Sequence, residues 1–119
     1  MLQNSVVTTS AWLEIVTGAA FLAVLDVPCR LLLAATPEGV GRPLGRLTGI
    51  ALITLGIASL PSRIAGSHRR AVQGLLAYNV GVAILLAWVG VATTLRGVLL
   101  WPAALLHAVI AAALLASSF

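Results

Sequence analysis

GVLLWPAALLHAVIAAALL, residues 97–115, carries one ionisable side chain, His107, and no alternation of polar and apolar positions. A strand of a membrane barrel would alternate over about 10 positions. Neither this stretch nor AVLDVPCRLLLAA (23–35) does so, and both read as apolar helix. The rest of the chain agrees. Of 119 residues, 61% are hydrophobic and 8% charged, and the mean hydropathy is +1.10, well outside the composition of water-soluble domains. The expected solvent is a bilayer, where every backbone N–H and C=O must be bonded internally.

A crossing needs roughly 20 apolar residues. Four segments approach this, at about 9–35, 44–60, 71–94 and 98–117, separated by TPEGVGRP (36–43), PSRIAGSHRR (61–70) and TTLRG (93–97). These breaks hold the Pro, Gly and Ser residues that interrupt helices. The expectation is one all-α unit over 1–119, a bundle of four transmembrane helices with both termini on one face. The first segment lacks the basic start of a signal peptide and contains two acids, so it reads as a retained helix.

All seven cations are Arg, at 30, 42, 46, 63, 69, 70 and 96. They lie at or between the apolar segments and form no patch interleaved with exposed aromatics, which argues for headgroup anchoring and against nucleic acid. Arg63, Arg69 and Arg70 are thus expected as membrane-edge residues. Counted by face, Arg30, Arg42, Arg46 and Arg96 oppose those three, a bias of one residue that sets no orientation. The lone Cys29 has no partner for an intramolecular disulfide and reads as a small packing residue.

Helix rise places four polar residues at related depths. From the termini face, Glu14 lies roughly 8 Å in, Tyr78 and Asn79 roughly 10 to 12 Å, and His107 roughly 15 Å. A charge in mid-membrane costs about 2.5 to 3.5 kcal/mol, so such groups face protein or water. Glu14 is expected to point inward, bonded to Tyr78, Asn79 or His107, or reached by Arg69 or Arg70. It is either a tie between helices or a protonatable, cation-binding group. Asp26 stands four residues before Arg30, the spacing of a local helical ion pair. Pro28 should bend that helix, because it lacks an N–H and crowds the preceding turn.

His107 is expected to bond a neighbour such as Asn79 or Tyr78. A haem would need a second axial ligand at its depth, and the only other histidine, His68, falls near the membrane edge. Glu14 with His107 has no metal-ligand spacing, so neither metal nor other cofactor is expected. Trp12 and Trp101 fall near segment ends, where indoles favour the headgroup level; Trp88 lies deeper and is expected to pack inside. Gly41, Gly45, Gly49 and Gly56 form one small-residue stripe, Gly74 and Gly81 a second. Such stripes let helices approach closely, within the bundle or across a homodimer.

No Ser/His/Asp or Cys/His arrangement, phosphate loop or close acid pair is present. An enzyme is not expected. RLTGIALITLGIASLP (46–61), LLAYNVGVAILLAWVG (75–90) and residues 97–115 resemble uncharacterised small four-helix bacterial integral membrane proteins. That resemblance implies a fold and a multi-pass setting in a bacterial inner membrane, with no activity attached. AWLEIVTG (11–18) is similar to the first helix of small multidrug resistance transporters, whose glutamate binds protons and cationic drugs; only Glu14 could inherit that role. The leading expectation is a protein that associates through its helices, with itself or with another membrane protein. The second is a proton-coupled transporter or binder of a small molecule at Glu14, Tyr78, Asn79 and His107.

Overall fold

The computed structural model describes residues 2–118. Among them the fold is all-α, with five helices: α1 (Leu2–Ala23), α2 (Asp26–Leu33), α3 (Gly41–Ser59), α4 (Ser67–Ala92) and α5 (Leu100–Ala116). Two of these, α1 and α4, are long and apolar enough to cross a membrane, and α5 is a shorter apolar helix of 17 residues.

The expected first helix at 9–35 is therefore two helices, and Pro28 explains the division. Proline offers no N–H to the carbonyl four residues earlier, that of Val24. Val24 O instead accepts from Val27 N–H at 2.9 Å, and the chain turns at residues 24–25. The carbonyl of Leu22, freed near the end of α1, accepts from the Arg46 guanidinium on α3. Asp26 opens α2, a position at which the helix dipole favours an acid.

The starts of α1, α3 and α4 lie earlier than expected, α3 and α4 also end earlier, and α5 falls inside its expected span. α1 begins near residue 2, and α4 begins at Ser67, so His68, Arg69 and Arg70 belong to its first turn and not to a loop. Helix α1 packs mainly on α3 and α4 mainly on α5, giving two hairpins that meet along a sparser seam. Two ties close the seam at its ends. Gln3 donates to Ser117 O and Ser118 Oγ and bonds His68, which brings the starts of α1 and α4 and the end of α5 together. At the opposite end, Gly97 and Leu99 N–H donate to Leu32 O at 2.9 Å and Leu31 O at 2.8 Å. These two bonds satisfy carbonyls that the end of α2 would leave unpaired.

Glycines decide how tightly the first hairpin closes. A Cβ at Gly49 would sit 2.7 Å from Gly18 O and 2.9 Å from Leu22 N, and one at Gly56 would sit 2.6 Å from Ala11 O. The Gly45, Gly49 and Gly56 edge of the first stripe is thus spent inside the molecule, against α1 and Leu25. Gly74 and Gly81 on α4 meet nothing within 4 Å. Trp88 also departs from expectation: it is 60% exposed, on the side of α4 turned away from the bundle.

Two apolar clusters form the core. Val7, Val72, Leu75, Ile110 and Leu114 close the end that holds the termini, and Leu86, Leu100 and Ala104 close the other. The polar residues lie between them.

Candidate functional site

Four turns of three helices supply the polar layer. Ser10 and Glu14, one helical turn apart, face inward from α1; Tyr78 and Asn79 come from α4; His107 comes from α5. Because α1 and α4 begin earlier than expected, Glu14 lies about 18 Å and Tyr78 about 16 Å along their helices. The layer is close to mid-helix.

Asn79 is completely buried and serves all three helices. Its Nδ2 donates to Leu75 O at 2.8 Å and reaches Ser10 Oγ at 3.5 Å. A carbonyl only accepts, so the bond to Leu75 fixes which end of the amide is nitrogen. Asn79 Oδ1 therefore faces His107 Nδ1, at 2.7 Å. An amide oxygen cannot donate, so Nδ1 carries the proton. The neutral imidazole is left with a lone pair on Nε2.

Glu14 is 1% exposed. The Tyr78 phenol stands beside its carboxyl group, while Oε1 is buried without a hydrogen-bond partner among the described residues. The Tyr78 ring also meets the His107 ring edge-on, with centroids 5.7 Å apart at 80°. Glu14, Tyr78, His107, Asn79 and Ser10 are thus one connected set. Arg69 and Arg70 are exposed at the start of α4 and do not pair with Glu14.

Beside this layer, a cavity of about 490 Å³ opens along the seam between the hairpins. Its size lies in the range of small-molecule sites. His107 and Tyr78 stand at one end, and Leu31 and Leu99 at the other. All five helices or their flanking residues contribute to its wall, which is apolar apart from Thr17, Thr48, Tyr78 and His107. Pro28, which breaks the first helix, also lines it.

The expected ion pair of Asp26 with Arg30 does not form. Arg42 Nη1 lies 2.9 Å from Asp26 Oδ1, and Arg30 is exposed. The helix break turns Asp26 toward the first turn of α3, where Arg42 also reaches Pro37 O. Both partners are nearly half exposed, at 45% and 43%, so the pair contributes little. Arg63, like Arg69 and Arg70, is exposed at the end of the bundle that holds the termini. Cys29 is buried, as a packing residue would be.

Ser10 is the member of the layer that the sequence reading missed. Its signal was position: four residues before Glu14, it shares that residue's helical face. Among the described residues, no three His, Cys, Asp or Glu side chains come together. In comparison with known proteins, no family model, curated protein or solved structure matches the chain.

Proposed function

We propose that this is a multi-pass integral membrane protein that binds a small, mostly apolar molecule in the cavity between its hairpins. In this reading α1 with α2, then α3, α4 and α5, make four crossings, and both ends lie on one side. Large apolar side chains exposed on every long helix support the membrane setting, Val16, Ile57, Ile84 and Val109 among them; a water-soluble monomer rarely shows so much apolar surface. An inner-membrane location rests on the resemblance to bacterial four-helix proteins. The observation that carries the binding reading is the cavity itself, because His107 and Tyr78 wall it and Glu14 stands behind Tyr78.

Glu14 is the protonatable element of this site. The titratable groups that meet it are Tyr78 from α4 and, through Tyr78, His107 from α5; no cation among the described residues pairs with it. The protein purified in its native lipid should carry a bound small molecule, seen by native mass spectrometry. Ala103→Phe, which puts a ring into the cavity wall, should remove it. Glu14→Gln should leave the fold intact and flatten the pH dependence of binding. Binding that is unchanged in both variants would reject the proposal.

Association through helices is the second reading, and one observation favours it. The α4 face bearing Gly74, Ala77 and Gly81 is exposed, with open space over both glycines. Crosslinking in lipid that yields only monomer would exclude it.

A further inference from the structure

Resting on the cavity reading above, we infer that the occupant is a neutral, lipid-soluble alcohol: an apolar body with a single hydroxyl that donates to His107 Nε2. Three features of the cavity select this class. The first is the tautomer. Asn79 holds the His107 proton on Nδ1, so the ring nitrogen that this cavity-lining residue keeps free, Nε2, is an acceptor. The second is that no Asp, Glu, Lys or Arg side chain lines the wall. The Tyr78 phenol stands beside Glu14, and the Thr48 hydroxyl donates its proton to Leu44 O at 2.9 Å. Glu14 itself is not part of the wall. A cationic or anionic ligand would thus be buried without a counter-charge at contact, which costs far more than burying a hydroxyl that finds an acceptor.

The third feature is the entrance. Leu31, Thr48, Leu85, Leu99, Pro102 and Leu106 line the cavity and are themselves exposed. The opening is therefore lateral and apolar, toward hydrocarbon, and away from the polar ends of the helices. From His107 to Leu99 the wall runs eight residues of α5 and its lead-in, about 12 Å at helical rise. An elongated chain lies along this length with its hydroxyl at the His107 end.

The test uses the full chain in lipid nanodiscs and three photoreactive diazirine probes: dodecan-1-ol, its methyl ether, and dodecane. They are compared at equal mole fraction in the membrane, with labelled peptides identified by mass spectrometry. The alcohol should label the Leu85 and Leu106 peptides about tenfold more than the ether or the alkane, the value of one hydrogen bond to a buried acceptor. Ala103→Phe should abolish that labelling, and His107→Phe should level the three probes. Equal labelling by all three in the unmodified protein, still blocked by Ala103→Phe, would overturn the alcohol assignment and leave the cavity as a binding site. Labelling that is absent, or indifferent to Ala103→Phe, would overturn both. The comparison of alcohol with ether needs no variant, so the assignment is decided even if the His107 substitution fails to fold.

Discussion

Asn79 is the residue on which the polar layer depends, since its one amide answers α1, its own α4 backbone and α5. Asn79→Leu would leave the His107 N–H and the buried Ser10 hydroxyl without that partner. The expected loss is about 0.5 to 2 kcal/mol, the scale of interhelical hydrogen bonds in membranes. Reversible unfolding in mixed micelles measures it. The same substitution frees the imidazole to adopt either tautomer, so selectivity for a hydroxyl should fall further than stability does. At this scale much was legible beforehand. Glu14, Tyr78, Asn79 and His107 come together because helical rise is uniform, and depth can be counted from segment ends. Pairings that depend on direction were less legible. The spacing of Asp26 and Arg30 is that of a helical pair, but Asp26 begins a new helix and turns to Arg42 on another.

Between helices, the glycines make the sharpest contrast. Gly49 and Gly74 are both helical, in stripes of similar spacing, yet only the first touches a neighbouring backbone. Gly49→Ala forces α1 and α3 apart and should cost about 1 to 3 kcal/mol. Gly74→Ala meets open space and should be neutral or stabilising by up to about 1 kcal/mol, because alanine favours helix over glycine. Thermal unfolding of the two variants side by side checks this. Spacing alone could show that close approach was intended somewhere; it could not say which face turns inward. Trp88 illustrates the same limit. Its depth along the helix was readable, but its 60% exposure depends on the rotation of α4 about its own axis. The break of the first helix was announced by Pro28, whereas its length was not, since α2 is held by bonds from residues 97 and 99, distant in the chain.

For the molecule as a whole, the hydrogen bonds of Gln3 to Ser117 and Ser118 place the two ends of the chain together. In a bilayer the expected outcome is that Asn4→Cys and Ser118→Cys, each in a Cys29→Ala background, react with an impermeant thiol reagent from the same side. Glu38→Cys should react in complementary proportion from the other. This pattern holds for a single orientation and for a mixture, so the near-even distribution of Arg does not blur it. The all-α class was legible from unbroken apolar runs, whereas the pairing of α1 with α3 and α4 with α5 comes from the packing. The cavity was not, because it belongs to neither hairpin: it exists where two well-packed halves meet imperfectly.

The seam between the halves is where the chain completes its structure. Each hairpin has its own larger interface, and the pocket exists only where the halves dock. Whatever fills the gap binds the docked form and not the separated one, and so adds to docking in proportion to the logarithm of its abundance. The occupant would then act as a removable keystone. If the proposed occupant binds, the two halves would stay locked in a membrane rich in it, and in a membrane depleted of it the seam would be the first part of the molecule to loosen.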